Sequence, residues 1–224
     1  MEKNNFMNLV DCEDNSDSSR DFRNKVNVVC VGDSITGYNN WDDKSSWISQ
    51  TYPEFLPEQL ERRGKDLVVA NCGMAGELSD DGLRRVERFL AMFPKSRYFV
   101  IGYGTNDLAN HIDVGVVSES IVTNIDSVVE GVFRAGKKSV LLNVPYVNEI
   151  CFPVGVAAYY HERRDFYNSK LAAYASKRKI SLVDICSKLQ NGHYFIDELH
   201  PNISGAKVIA GEVADVLAKN GSRI

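Results

Sequence analysis

Three residue types that together make a nucleophilic catalyst occur in short polar clusters of this sequence. Ser34 follows a glycine and an aspartate, and Asp197 stands three positions before His200. A serine hydroxyl attacks a carbonyl only when an adjacent base removes its proton, and that base needs a third group to fix its tautomer. Ser34, His200 and Asp197 could fill these roles as nucleophile, base and orienting carboxylate. Taken alone, the serine is also typical of a turn, and the Asp-x-x-His pair is typical of a loop that caps a helix.

Three further groups could hold the negative charge that acyl transfer places on the carbonyl oxygen. Fixed hydrogen-bond donors aimed at this oxyanion are worth about 10² to 10³ in rate each. The candidates are the backbone N–H groups of Ser34 and Gly73 and the side-chain amide of Asn106. Gly76 follows closely, but Gly73 is the predicted donor. A simple turn is the alternative interpretation of each cluster.

Two aspartates lie next to these candidates, and we expect them to have a supporting role. Asp33 precedes Ser34, and Asp107 follows Asn106. Short acidic side chains in such loops commonly accept hydrogen bonds from nearby backbone N–H groups. Both are therefore predicted to organise their loops rather than to take part in bond breaking.

Short apolar runs before these clusters predict five strands. They are rich in β-branched residues and are bounded by turn-forming residues, as buried strands are. Three of the four polar clusters follow the first three runs directly. The runs are Val26 to Val31, Leu67 to Ala70, Tyr98 to Ile101, Ser139 to Val144 and Ile180 to Asp184.

The segments between the strands have the apolar spacing of helices. Alternation of strand and helix predicts an α/β fold with a parallel sheet covered on both faces. In such folds the ligand crevice lies beyond the carboxyl ends of the strands, so the clusters should converge there. The predicted helices are Trp47 to Arg63, Asp80 to Phe93, Val114 to Ala135, Glu162 to Arg178 and Ile203 to Ala218.

Composition places the chain among ordinary globular proteins and argues against several partners. Of 224 residues, 44% are hydrophobic and 25% charged, and the net charge is −4. The basic residues are scattered, which predicts neither nucleic-acid nor anionic-membrane binding. No apolar run approaches the roughly 20 residues of a spanning helix. Residues 1–25 are polar and are expected to form a flexible tail without a secretory signal, and residues 26–224 to form one domain.

The cysteines favour a reducing compartment. Five of them are spread widely, and none forms a Cys-x-x-Cys pair. This pattern predicts neither a disulfide framework nor a zinc site, and the expected location is the cytoplasm. The five are Cys12, Cys30, Cys72, Cys151 and Cys186.

Taken together, the four clusters resemble the four sequence blocks of the SGNH hydrolase superfamily, also called GDSL-like lipases and esterases. The blocks are Gly32-Asp33-Ser34, Gly73, Gly104-Thr105-Asn106-Asp107 and Asp197-x-x-His200, in the family's order across residues 26–208. The resemblance implies a flavodoxin-like, three-layer α/β/α sandwich. It also implies a Ser-His-Asp mechanism without metal or cofactor, and an oxyanion hole from Ser34, Gly73 and Asn106. The Gly-x-Ser-x-Gly elbow of α/β-hydrolases is absent, because Thr36 stands two positions after Ser34.

The sequence indicates the substrate less clearly than it indicates the reaction. The stretch from Tyr146 to Tyr160 is unusually apolar for a connection, so it could wall an acyl pocket or simply pack on the sheet edge. Tyr38, Trp41 and Trp47 could stack on a sugar, line an acyl channel or belong to the core. The leading hypothesis is a serine esterase for short acyl esters, such as O-acetyl groups on a sugar.

Two other functions are consistent with the same blocks. One is a thioesterase or lysophospholipase of the superfamily. The other is a carbohydrate- or lipid-binding module without hydrolytic activity, although such a module would not need Ser34, Asp197, His200 and Asn106 together. If the protein is an esterase, its expected partner is a small ester. The sequence does not specify an oligomeric state.

Overall fold

A computed structural model of the chain describes residues 5–8, 16–37, 50–110, 113–151 and 155–220. In these residues, six strands form one fully parallel sheet in the order β1-β3-β2-β4-β5-β6. All carboxyl ends therefore lie at one edge. The strands are β1 (Phe6–Asn8), β2 (Val26–Gly32), β3 (Val68–Asn71), β4 (Tyr98–Gly102), β5 (Lys138–Leu142) and β6 (Ser181–Val183).

Helices cover both faces of the sheet, which confirms the predicted α/β/α sandwich. Helices α3, α5 and α6 pack on one face, and α2 and α8 pack on the other. The helices are α1 (Asp17–Arg23), α2 (Tyr52–Glu61), α3 (Ser79–Met92), α4 (Thr105–Asn110), α5 (Val114–Arg134), α6 (Val156–Arg178), α7 (Ile185–Lys188) and α8 (Ile203–Asn220).

Strand β2 shows why its sequence is apolar at nearly every position. Val29 and Val31 belong to the core beneath α3, α5 and α6, whereas Val28 and Cys30 belong to the core beneath α2 and α8. A central parallel strand is buried on both faces, so it cannot alternate with polar residues. The apolar run that predicted this strand is the direct result of its central position.

Helix α5 shows the pattern of the helices that cover the sheet, with one apolar face and a capped first turn. The Asp113 carboxylate accepts a hydrogen bond from Val116 N at 3.0 Å and so satisfies a backbone donor that the helix leaves unpaired. The buried positions then recur every three or four residues, which is the helical period. They include Val117, Ile121, Ile125, Val128 and Val132.

Six strands rather than five is the main difference from the prediction. The sixth, β1, pairs in parallel with β3 at the sheet edge. Three residues are too few to show the residue pattern of a strand. They form a strand because they pair with β3. Helix α1 follows in the same segment, with Phe22 buried. The segment expected to be a flexible tail thus contains two ordered elements, whereas the single domain over 26–224 stays a prediction.

The remaining differences concern helix boundaries. Helix α6 begins at Val156, six residues before the predicted Glu162, because the residues before Glu162 already pack towards α4. The short helices α1, α4 and α7 were not predicted, since helices of one or two turns carry little periodic signal. The prediction of a helix from Trp47 falls partly outside the described residues, within which α2 begins at Tyr52.

Candidate active site

Ser34, His200 and Asp197 form one continuous chain of hydrogen bonds. His200 Nε2 lies 2.9 Å from Ser34 Oγ, and His200 Nδ1 lies 2.7 Å from Asp197 Oδ2. The ring thus has the hydroxyl on one nitrogen and the carboxylate on the other. A carboxylate on Nδ1 favours the tautomer with its proton there, in which Nε2 carries no proton and can accept one from the serine.

A tight turn after β2 presents Ser34. The N–H groups of Thr36 and Gly37 donate to Asp33 O at 3.0 and 2.9 Å, while Asp33 N donates to Gly102 O on the neighbouring strand β4. The turn is thereby fixed to the sheet. Ser34, at its centre, is buried except for 7% of its surface.

In the loop before α8, the Asp197 carboxylate binds both the His200 ring and the loop backbone. Asp197 Oδ1 accepts from the backbone N–H groups of Leu199 and His200 at 2.8 and 2.6 Å, so the carboxylate shapes the loop as well as holding the ring. The cap of α8 is a different residue: Asn202 Oδ1 accepts from Ser204 N and Gly205 N. The capping interpretation therefore applies to Asn202, and Asp197 has its partners within the loop.

The electrostatics of Asp197 follow from these bonds. Burial raises the pKa of its carboxyl group. The hydrogen bonds from the His200 ring and from the N–H groups of His200 and Leu199 outweigh burial, and the pKa lies below its usual range. Asp197 is consequently a carboxylate at neutral pH.

Strand order places the loops of the three candidate oxyanion donors next to one another. Ser34 follows β2, Gly73 follows β3 and Asn106 follows β4, and β2 lies between the other two strands in the sheet. Because the strands are parallel, all three loops emerge at the same edge. Ser34 is therefore flanked on one side by Gly73 and on the other by Asn106.

The three donors differ in what they bind within the chain. Among the described residues, Ser34 N has no acceptor. Gly73 N donates to Asn71 Oδ1 at 3.1 Å, and the Asn106 amide donates one hydrogen to Glu77 O at 2.9 Å. An amide nitrogen carries two hydrogens, so the Asn106 side chain can serve a second acceptor.

Gly73 allows two loops to touch through their backbones. A Cβ atom at this position would lie 2.4 Å from Gly37 N and 2.7 Å from Thr36 Cβ. Since no side chain fits into such a gap, only glycine permits the loop after β3 to pack directly on the turn that carries Ser34.

The two supporting aspartates are buried and bonded to the backbone. Asp33 Oδ1 accepts from Ile35 N at 2.9 Å inside the nucleophile turn. Burial raises the pKa of Asp33 to about 6, against the opposing effect of the hydrogen bonds from Ile35 and Thr105. Asp107 accepts from the N–H and the hydroxyl of Ser79, the latter at 2.7 Å, and so joins α4 to the start of α3.

The segment after β5 packs against the loop that carries His200. Asn148 N donates to Glu198 O at 2.9 Å, and Tyr146 stacks on His161 of α6 with ring centroids 4.5 Å apart. Ile150 is 90% exposed in this segment. Residues 152–154 of the predicted acyl wall lie outside the described residues, as do Tyr38, Trp41, Trp47 and Cys12.

Sequence reasoning missed a buried ion pair beside this site. Arg85 of α3 donates to the carboxylate of Glu77, and Tyr103 OH donates to the other oxygen of Glu77 at 3.1 Å. Glu77 precedes α3, so the pair has no helical spacing that could have revealed it. Arg85 Nη2 also donates to Cys72 O at 3.1 Å, and the Glu77 backbone oxygen accepts from the Asn106 amide at 2.9 Å.

Within the described ranges, no group of three or more His, Cys, Asp and Glu side chains could hold a metal ion. None of the helices in the described part of the chain is long and apolar enough to cross a membrane.

Comparison with known proteins identifies one family. The sequence model of the GDSL-like lipase/acylhydrolase family matches residues 30–208, which include all four clusters. No curated protein matches the sequence.

Solved structures with the same fold include several esterases and lipases. A GDSL-like lipase from Bacteroides thetaiotaomicron is 20% identical over 88% of this chain and 89% of that chain, with a TM-score of 0.65. A carbohydrate acetylesterase from Sinorhizobium meliloti is 18% identical over 88% and 100%, with a TM-score of 0.66. An acetyl xylan esterase is 16% identical over 86% and 100%, with a TM-score of 0.69. Likenesses at this level of identity show a shared fold.

Proposed function

Because the chain belongs to the GDSL-like lipase/acylhydrolase family, we propose that it is a serine esterase that cleaves short acyl esters, including O-acetyl groups on sugars. The observation that carries this proposal is the chain of hydrogen bonds from Ser34 Oγ through the His200 ring to Asp197. It brings a hydroxyl, a base and a carboxylate into the relative positions that acyl transfer requires.

In the proposed acylation step, Ser34 Oγ attacks the ester carbonyl while His200 Nε2 takes the hydroxyl proton. The carbonyl π electrons move onto oxygen, and the resulting oxyanion is held by Ser34 N, Gly73 N and the Asn106 amide. Asp197 stabilises the protonated ring. When the tetrahedral intermediate collapses, the C–O bond to the alcohol breaks and His200 gives its proton to the leaving alkoxide.

Deacylation repeats these steps with water. His200 Nε2 takes a proton from a water molecule as its oxygen attacks the acyl-enzyme carbonyl, and the same donors hold the second oxyanion. Collapse breaks the bond to Ser34 Oγ, which recovers the proton from His200. The carboxylic acid is released, and the enzyme returns to its starting state. No step needs a metal ion, so EDTA should leave the rate unchanged.

Similar structures support short acyl groups and sugar alcohols. One of them is a carbohydrate acetylesterase and another is an acetyl xylan esterase. A panel of esters from acetyl to decanoyl, run with acetylated sugars and an acyl-CoA, tests this point. An optimum at long chains or at the thioester would replace the short-ester proposal.

The decisive experiment is hydrolysis of p-nitrophenyl acetate by a Ser34→Ala variant. We expect kcat to fall by about 10⁴-fold or more, since removal of the nucleophile disables the whole triad. Ser127→Ala is the matched control, because Ser127 is an exposed serine of α5 whose hydroxyl donates only to Thr123 O within the same helix. Retained hydrolysis in folded Ser34→Ala would reject the triad.

We propose the cytoplasm as the location of this activity. Within the described part of the chain, Cys30, Cys151 and Cys186 form no disulfide, as expected in a reducing compartment. Detection of the protein in the cytosolic fraction of its cell is the expected result. Recovery in an oxidising compartment would contradict it.

A further inference from the structure

Asn106 lies in a helix that is too short to hold its own position. Helix α4 has six residues, and isolated helices shorter than about 12 residues are marginal in water. The position of α4 must therefore come from packing, and α4 contacts both α5 and α6. Whatever fixes α4 against these neighbours also fixes the point from which the Asn106 side chain extends.

Two buried side chains of α6 hold the backbone on either side of Asn106. Tyr167 OH donates to Tyr103 O at 3.1 Å, three positions before Asn106. Arg163 Nε donates to Leu108 O at 3.0 Å, two positions after it. Tyr167 is fully buried and Arg163 is 3% exposed. Hydrogen bonds shielded from water in this way are stronger than exposed ones, so both carbonyls are held firmly in place.

Tyr160 lies on the same face of α6 and reaches the same segment. Positions 160, 163 and 167 are three and four residues apart, which is the spacing that aligns side chains along one side of a helix. Tyr160 OH makes a longer contact with Thr105 O, at 3.4 Å, where α4 begins. One face of α6 thus holds the segment around Asn106 at three points.

The Tyr167 ring can reach this backbone because Gly104 has no side chain. A Cβ atom at Gly104 would lie 2.9 Å from Tyr167 Cε1 and 3.0 Å from Val144 Cγ2. Gly104 also has a φ of 130°, a conformation that residues with a side chain rarely adopt. The glycine of the third polar cluster therefore lets α6 lie directly against the loop that leads to Asn106.

Helix α6 is itself attached to the carboxyl edge of the sheet. Asn168, the neighbour of Tyr167, accepts from Val144 N at 3.0 Å through Oδ1 and donates to Val144 O at 2.9 Å through Nδ2. A side-chain amide offers both an acceptor and donors, so it can pair with both backbone groups of one residue. Val144 follows β5, and α6 therefore links the end of that strand to the segment around Asn106.

The far end of the Asn106 side chain is held by a different residue. Its amide donates one hydrogen to Glu77 O at 2.9 Å, and an amide nitrogen carries a second hydrogen. The side chain is therefore held at two points, at its Cα by α4 and at its amide by the loop after β3. A shift of α4 relative to Glu77 would turn the amide plane and change the direction of the second hydrogen.

We propose that Tyr167 and Arg163 are positioning residues of the oxyanion hole, which aim the second hydrogen of the Asn106 amide by holding the backbone on both sides of it. The inference rests on the proposed function, in which this amide binds the oxyanion. Both residues act through Asn106 rather than on the ester. Their effect on rate follows because a misplacement of about 1 Å far from the chemistry can cost about 10²-fold.

Steady-state kinetics of Tyr167→Phe test the tyrosine. This change removes one hydroxyl and keeps the ring in the core. We expect kcat for p-nitrophenyl acetate to fall by about tenfold while KM changes less than about twofold, since an oxyanion donor acts in the transition state. Tyr174→Phe is the matched control, because Tyr174 of the same helix donates to Asp126 of α5 at 2.8 Å. Equal kcat in the two variants would overturn the role of Tyr167.

Arg163→Lys tests the other end of the segment. Lysine keeps the positive charge but lacks the Nε–H and the planar guanidinium, so the hold on Leu108 O is loosened. We again expect kcat to fall by about tenfold at nearly constant KM. Arg178→Lys is the matched control, because Arg178 also extends from α6 but pairs with Asp126 of α5. An unchanged kcat in Arg163→Lys would overturn the role of Arg163.

A second substitution at Asn106 separates positioning from stability. The Tyr167 hydroxyl has no amide to aim in an Asn106→Ala background, so Tyr167→Phe should change kcat there by less than about twofold. A residue that only stabilises the fold would lower kcat by the same factor in both backgrounds. A tenfold loss in the Asn106→Ala background would therefore overturn the positioning role.

A readout without turnover distinguishes failure of this inference from failure of the proposed function. In an NMR spectrum, the side-chain NH₂ resonances of Asn106 should shift in Tyr167→Phe and Arg163→Lys and stay in place in Tyr174→Phe. Unmoved resonances in the first two variants would reject the positioning role, even with Ser34-dependent hydrolysis intact. Shifted resonances combined with undiminished hydrolysis in Ser34→Ala would reject the esterase mechanism and leave the hold of α6 on Asn106 standing.

Discussion

His200 Nε2 and Ser34 Oγ lie 2.9 Å apart although 166 positions separate them in the chain. Ser34 belongs to the turn after the central strand β2, and His200 to the loop that leads into the last helix, α8. The contact therefore depends on α8 being packed against α2 on the sheet. It gives the proposed mechanism its proton path.

Asp197→Asn should reduce kcat by about 10² to 10⁴-fold while the fold stays intact. The asparagine oxygen can still accept from Leu199 N and His200 N, which turns its NH₂ group towards His200 Nδ1. That nitrogen must then accept, so the ring proton moves to Nε2 and Ser34 loses its base. Asp80→Asn, at an aspartate of α3 that pairs with Arg84, is the control. A change below threefold in Asp197→Asn would argue against this role.

Asn106→Ala should lower kcat by about 10² to 10³-fold with little change in KM, as loss of one oxyanion donor does. The residue is half-buried at the start of α4, and its truncation also leaves Glu77 O without its donor. Asn24→Ala is the control, since Asn24 is an exposed cap whose amide donates to Arg20 O. Equal losses in kcat and affinity for the ester would indicate substrate binding instead.

Asp33→Asn should change the pH dependence of stability. Burial raises the pKa of Asp33 from 3.8 to about 6 in the folded protein. Between these values the folded state keeps a proton that the unfolded state releases, so this group lowers stability as pH rises from about 4 to 6. The shift corresponds to at most about 3 kcal/mol.

Asparagine can keep the acceptor for Ile35 N and carries no charge. Asp33→Asn should therefore remove the loss of stability that Asp33 causes as pH rises. Urea unfolding of both proteins at pH 4 and pH 7.5 measures it. The free energy of unfolding of the variant minus that of wild type should be more positive at pH 7.5 than at pH 4. A stability difference that is the same at both pH values would show that Asp33 keeps an ordinary pKa.

Gly73→Ala should reduce both stability and kcat, the latter by at least about tenfold. The new methyl carbon would lie 2.4 Å from Gly37 N, so the loop after β3 must move away from the nucleophile turn. Gly76→Ala is an informative comparison, because a Cβ atom there meets nothing within 4 Å and costs only the strain of a φ of 80°. Loss of kcat in Gly76→Ala and not in Gly73→Ala would reverse the choice of donor.

Features that depend on near neighbours in the chain could be predicted from the sequence alone. The apolar run of β2 identified a strand buried on both faces, and the spacing of Asp197 and His200 placed carboxylate and ring in one loop. Such features are readable because their hydrogen bonds and burial periods lie within a few residues. The types of the site residues and their order along the chain then led to the family.

Relationships that depend on packing between distant segments could be seen only in the folded protein. The order β3-β2-β4 sets Gly73 and Asn106 on opposite sides of Ser34, and no local pattern specifies that order. The edge strand β1 is defined by pairing with β3, and Arg85 reaches Cys72 and Glu77 only once α3 lies on the sheet. These relationships depend on how whole helices and strands pack against one another. A short stretch of sequence holds no information about that packing.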